Sequence, residues 1–201
     1  MSRCPLHIDI PLFEIYKIHL LMPSANFTNY TSRTIMGRMY MKIREFRNED
    51  WEGVWNILQQ VFRSGETFPN DPNTSESEAR DYWVSKPKFT YVAIQDGTIV
   101  GSYHLKDNQI GLGSHIANAG YVVSPNNRGR GVGTALADHS LNVAVNKGYT
   151  AIQFNLVVST NNASLRLWNK FGFTTIGRIP KAFSYKDKGL VDAYILYKEL
   201  K

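Results

Sequence analysis

Apolar and polar residues alternate along Phe89–Gln95 and again along Thr98–Lys106, with Asp96-Gly97 between the two runs. Successive strand side chains point to opposite faces, so the period of two predicts a pair of strands, and Asp-Gly is the dipeptide a tight hairpin favours. Upstream the period changes. Trp51, Val54, Trp55, Leu58, Val61 and Phe62 recur at helical spacing and predict a helix with these side chains inward. Asn48 is expected to cap it, with Glu49 and Asp50 at the positive end of its dipole. Met41–Phe46 reads as a preceding strand, Ser64–Pro72 as a breaker-rich loop, and Ser75-x-x-Glu78 as a capping box that opens a second helix over 76–85.

Downstream, Asp107–Ser114 is a turn and His115–Val123 a strand. A helix follows with Val132, Leu136, His139 and Val143 on one face, Ala135 and Ala144 beside them, and Lys147-Gly148 at its end. Thr150–Val158 reads as a buried strand, Asn161–Phe171 as a helix, and Phe173–Ile179 with Val191–Tyr197 as closing strands. This mixed order predicts an α/β (α+β) domain.

The 201 residues, 43% apolar, suit one such domain over 41–201. Residues 1–40 stand apart as an N-terminal extension, expected to be dispensable for chemistry, and Met41 would itself serve as a start. Ile10–Met22 is apolar but interrupted by Glu14 and Lys17, so no membrane span is expected. The 23 basic residues behind the net charge of +6 are scattered, which argues against nucleic acid and suits an anionic small ligand. With one cysteine, Cys4, no internal disulfide is expected, and a cytoplasmic setting follows. No His/Cys spacing suggests a metal.

Chemistry concentrates in Tyr121–Thr134, where an apolar strand runs through a Pro-Asn turn into alternating Gly129, Gly131 and Gly133 and then a helix. Glycines let the backbone approach a ligand closely, and the first turn of a helix has N–H groups without internal partners. With Arg128 and Arg130 adding charge, the stretch is built for phosphates. A P-loop would need Gly-Lys-Ser/Thr, and a dinucleotide fingerprint would need Gly-x-Gly-x-x-Gly with a later acid; neither occurs.

Arg128-x-x-Gly131-x-Gly133 resembles the pyrophosphate loop of the GNAT acyltransferases. Asn161-x-x-Ser164-x-x-x-Trp168-x-x-x-Gly172-Phe173 is similar to that family's next segment, and the resemblance spans 41–200. It implies a central mixed, mostly antiparallel sheet flanked by helices, and acetyl-CoA as co-substrate. The diphosphate would lie on Arg128, Gly129, Arg130, Gly131, Val132, Gly133 and Thr134. Main-chain groups of Tyr121, Val122 and Val123, on a strand that bulges and splays in the family, would pair with the pantetheine arm, and Asn161, Ser164 and Trp168 would complete the cofactor site. Trp168 replaces the family's usual tyrosine acid, and an indole has no hydroxyl to ionise. Glu66, Thr67 and Phe68, between the first two helices, would touch the acceptor. The family often forms homodimers.

Asn118 and Asn155 each fall mid-strand among apolar neighbours, where an unpaired amide costs about 1–3 kcal/mol. Either they bridge splayed strands, or they hold the acceptor and a catalytic water. Their contexts, with Ser64-Gly-x-Thr-Phe-Pro, Thr160-Asn-x-Ala-Ser and Trp168, resemble the branch that acetylates L-azetidine-2-carboxylate and similar amines. That resemblance makes Asn155 and Asn118 the catalytic pair. His104, His115 and Tyr103 are further candidate bases near the cleft. The expected activity is direct acetyl transfer in a ternary complex to a small-molecule amine. The alternatives are acetylation of protein N-termini or lysines, with the 65–71 loop lining a peptide groove, and a non-catalytic cofactor-binding module.

Overall fold

A computed structural model of the chain describes Tyr30–Ser32 and residues 41–200. In chain order its strands are β1 (Tyr30–Ser32), β2 (Met41–Glu45), β3 (Phe89–Gln95), β4 (Thr98–Asp107), β5 (Ile116–Val123), β6 (Ala151–Val158), β7 (Thr174–Tyr185) and β8 (Gly189–Glu199). Its helices are α1 (Trp51–Ser64), α2 (Glu76–Arg80), α3 (Val132–Asn146) and α4 (Asn162–Lys170). The strands form one sheet in the order β1-β2-β3-β4-β5-β6-β8-β7. Among the described residues β5 and β6 are its single parallel pair. From the 1–40 segment only β1 is described, paired antiparallel to β2, and the apolar stretch Ile10–Met22 lies outside the described residues.

Alternation along the central strands divides two cores. Val92 and Val122 join Trp51, Val54, Leu58, Phe62 and Trp83 under α1 and α2, whereas Tyr91, Ala93 and Tyr103 join Leu136, Ala144 and Trp168 under α3 and α4. The β3–β4 hairpin turns at Asp96 (φ 49°) and Gly97 (φ 76°), the two positive values that a twisted two-residue turn demands.

Three expectations are corrected. Asn48 does not cap α1; a single 3₁₀ turn, Asn48–Asp50, comes first. Asp50 takes the fork of Arg44 (2.6 and 2.8 Å) and the Arg47 N–H (2.7 Å), while Asn48 Oδ1 accepts from Arg80 (3.1 Å). Burial pushes the Asp50 pKa upward, but the Arg44 and Arg47 bonds outweigh it and hold the carboxyl below its usual range. The Ser75 capping box forms, with Ser75 N–H donating to Glu78 at 2.9 Å, yet the α-helix ends at Arg80 and Asp81–Ser85 widens into a π turn. That turn buries Trp83, whose indole N–H donates to Ser102 Oγ (2.9 Å). Finally, β7 and β8 extend well beyond 173–179 and 191–197. Pro180 interrupts no ladder because β7 is an edge strand, and a register shift between Ile179 and Phe183, with Lys181 at φ 52°, absorbs the misfit.

Candidate active site

β5 and β6 pair only at Ile116↔Ala151 and Ala117↔Ile152, then part. At the fork Asn118 Nδ2 donates to Gln153 O (2.9 Å) and ties the strands together. Ser124 N–H donates back to Val100 O (2.9 Å), so by antiparallel alternation the N–H groups of Tyr121 and Val123 point into the gap. The expected bulge is not on β5, whose register against β4 runs unbroken; it lies on β6. Phe154 pairs with Leu196 and Val157 with Tyr194, so Asn155 and Leu156 together oppose Ile195. The gap opens into a cleft of about 900 Å³.

One end of the cleft is the glycine loop. Gly129 (φ 73°) and Gly131 (φ 86°) take left-handed conformations that let α3 start abruptly. Ala135 is the first residue to donate within the helix, to Gly131 O at 3.0 Å, so Val132, Gly133 and Thr134 have N–H groups without a helical acceptor. Arg128, Gly129, Gly131, Gly133 and Thr134 line the cleft. Arg130 does not, being turned to solvent, and the Val132 side chain is packed into the core, leaving its N–H as its contribution.

The wall between loop and fork is aromatic. Trp168 is buried, with ring centroids 4.5 Å from Phe154, 4.7 Å from Tyr121 and 5.1 Å from Phe173. The Tyr121 hydroxyl pairs with Ser140 Oγ (2.8 Å), and burial raises its pKa well above the usual tyrosine value, so it is a neutral phenol. Asn161 lines the cleft while capping α4, its Oδ1 accepting from Ser164 N–H (3.1 Å). Beside it Thr160 Oγ1 is buried without a hydrogen-bond partner.

The other end is assembled from distant segments: Glu66, Thr67, Phe68 and Pro69 after α1, Tyr82, His104, Asn118, and Tyr185 from the β7 extension. Partial burial raises the Tyr185 pKa, and Glu66 adds to the rise through its charge and a hydrogen bond. Asn155 corrects the picture of two buried amides. It is exposed, donating to Asn108 Oδ1 (2.8 Å) and accepting from Gln153 Nε2 (2.8 Å). Of the candidate bases, His115 is exposed and bonded to Leu112 O (3.1 Å), and Tyr103 is buried in the core under α3, off the cleft lining, with its hydroxyl on His139 (2.7 Å). Only His104 reaches the cleft. It is 1% exposed, and burial, helped by the Lys106 charge, lowers its pKa to about 3, so the imidazole is neutral. Tyr82 and Tyr185 escaped sequence reading, the first on no hydrophobic stripe and the second in a stretch that reads as loop.

A splayed parallel pair facing a glycine-rich helix start is the arrangement that the resemblance to the GNAT acyltransferases implies, and comparison with known proteins agrees. The model of the acetyltransferase (GNAT) family matches residues 51–173. N-acetyltransferase aca1 of Schizosaccharomyces pombe is 34% identical over 156 residues, 69% of this chain and 75% of that protein. The L-amino acid N-acetyltransferase AaaT of Escherichia coli is 26% identical, over 77% of this chain and 94% of its own. The solved structure of a GCN5-related N-acetyltransferase from Kribbella flavida is 36% identical, with a TM-score of 0.76 over 80% of this chain and 98% of that one. The chain belongs to the GNAT family and is an N-acetyltransferase, with acetyl-CoA as the family's acetyl donor. No described helix is long and apolar enough to cross a membrane.

Proposed function

We propose that this chain transfers the acetyl group of acetyl-CoA directly to the amine of a small molecule, an amino acid or proline-like analogue, in a ternary complex. The observation that carries the reading is the parting of β5 from β6 immediately beyond Ala117, with the glycine loop on one side of the gap and Glu66, Thr67, Phe68, Tyr82, His104 and Tyr185 on the other. Similarity to an L-amino acid N-acetyltransferase supports the acceptor class.

The diphosphate lies on the N–H groups of Val132, Gly133 and Thr134 with Arg128 beside it, and the pantetheine arm pairs with Tyr121 and Val123. The acceptor's neutral nitrogen attacks the thioester carbonyl, a β5 N–H meets the oxyanion, and collapse of the tetrahedral intermediate expels the CoA thiolate. An amine of pKa about 10 is only about one part in a thousand neutral at pH 7, so removing its proton is a substantial part of the barrier. Asn155 positions the amine or a water that takes this proton. Asn118, whose Nδ2 already holds Gln153 O, offers its Oδ1 to the acceptor's polar atoms. Trp168 orients the sulfur without protonating it. Glu66, Thr67 and Phe68 close over the acceptor, and residues 1–40 take no part.

Thiol release from acetyl-CoA with amino acids, proline analogues and peptides, coupled to mass-spectrometric identification of the product, tests this reading. Acetylation of peptides in preference to every small amine refutes it. A chain beginning at Met41 is expected to turn over like the full chain.

A further inference from the structure

His104 is held in an unusual way. Its ring is met edge-on by Trp83, with centroids 4.6 Å apart at 74°, and by Tyr82, at 5.7 Å and 87°. Trp83 is itself fixed by Ser102, which donates to Tyr91 O (2.8 Å). This aromatic wall locks the imidazole orientation but supplies no hydrogen bond, and Nδ1 is buried without a partner. The residue opposite His104 on β5 is Gly120. A Cβ there would sit 2.8 Å from His104 Cε1 and 3.1 Å from Nε2. The Gly120 backbone is not left-handed, so its dihedrals do not require glycine; the imidazole does. Gly120 also lines the cleft, so the missing side chain is a window through which the Cε1–Nε2 edge faces the acceptor end.

A buried lone pair without a partner is tolerated better than a buried N–H without one. The neutral ring therefore carries its proton on Nε2, leaving the lone pair on Nδ1 and a donor at the window. Among the described lining residues only Glu66 and Arg128 are charged, and Arg128 stands on the phosphate loop. An acceptor anion at this end has no cation in the lining to meet it and must be held by neutral donors. Lys106, 5.9 Å from the Tyr82 ring centroid, adds a positive field.

We propose that His104 anchors the acceptor, donating from Nε2 over Gly120 to a carboxylate oxygen beside the acceptor amine, and so selects amino-acid-like acceptors over amines that lack the acid. The inference rests on the small-molecule reading and narrows it.

The test pairs each L-amino acid, L-proline and L-azetidine-2-carboxylate included, with its decarboxylated amine. Calorimetric binding to the enzyme–CoA complex and thiol release are measured for the wild type, His104→Phe, His104→Gln and Gly120→Ala. The wild type is expected to prefer at least one acid to its amine. His104→Phe should raise the KM for that acid tenfold or more with the KM for acetyl-CoA unchanged, and bring the acid-to-amine ratio close to one. Gln places an N–H near the Nε2 position and should retain most of the preference, while Gly120→Ala, which displaces the ring, should lose it. Because the Gln and Gly120 variants keep the strand scaffold, they decide the matter even if the Phe variant misfolds. Wild-type enzyme without acid preference in any pair, or a ratio unmoved by these variants, overturns the proposal. His104-dependent acid binding without acetyl transfer to any amine would overturn the transfer reading and leave the anchoring role standing.

Discussion

The two ends of the cleft are built on opposite principles. The end at which we place the cofactor is nearly continuous in sequence: Tyr121–Thr134 supplies strand, turn, glycines and helix start, and what it offers a ligand is mainly backbone N–H groups. The acceptor end draws on a loop after α1, a π turn, β4, β5 and the tip of β7, and its chemistry resides in side chains. A backbone site can be encoded locally because dihedrals are local. A side-chain site depends on the register of several strands, so its composition changes with small shifts.

Four perturbations separate the ends, in order of expected size. Trp168→Ala removes a buried ring from the Tyr121, Phe154 and Phe173 cluster and should cost about 3–5 kcal/mol in thermal denaturation, whereas Trp168→Phe, keeping an aromatic wall, should lose far less. Gly131→Val forces a β-branched residue into φ 86°. A strain of about 1–3 kcal/mol at the helix start should weaken acetyl-CoA binding roughly ten- to hundredfold by calorimetry, with the acceptor preference intact.

The third is a pH effect. His104 and His139 have folded pKa values lowered by burial to about 3 and about 4, below the unfolded value near 6.5. The unfolded chain therefore binds more protons, and the stability from keeping these rings neutral is complete above pH 6.5 and lost as pH falls towards the folded values. At pH 5 each contributes a loss of about 2 kcal/mol, so the melting temperature should drop between pH 7 and 5. His104→Phe should flatten that drop; an unchanged slope would contradict the neutral, buried imidazole. Fourth, Asn155→Ala should lower kcat about tenfold, a loss of about 1.4 kcal/mol in transition-state stabilisation, without altering acetyl-CoA binding. Undiminished turnover would remove Asn155 from the mechanism.

The parts legible in the sequence are those governed by short-range rules. The Asp96-Gly97 hairpin, the Ser75 box and the amphipathic stripe of α1 form where periodicity and turn chemistry place them. The loop glycines also sit where predicted. Misread features involve competition between neighbours. Asn48 loses the α1 cap to a 3₁₀ turn because Asp50 has a better offer, a guanidinium and an N–H at once. The strand expected over 173–179 runs on past Pro180, because an edge strand has an unpaired side and the ladder skips from Ile179 to Phe183, and the longer β7 carries Tyr185 to the cleft. Asn155 reads as buried because its neighbours are apolar, but it falls in the bulge at 155–156, where it is exposed while still lining the cleft, and no local pattern announces a bulge that depends on β8.

Family, fold class and the position of the glycine loop at the start of α3 were thus determined by the sequence alone, since spacing along the chain fixes which N–H groups converge and which strands alternate. Tertiary structure decided the division of labour within the cleft: Asn118 became a tie across the fork, Arg130 was turned away, and His104 rather than His115 or Tyr103 was brought to the acceptor end. The reason is parity. Neighbouring residues on a strand face opposite cores, so a shift of one position exchanges a cleft residue for a buried one, and only the pairing of distant strands sets that register.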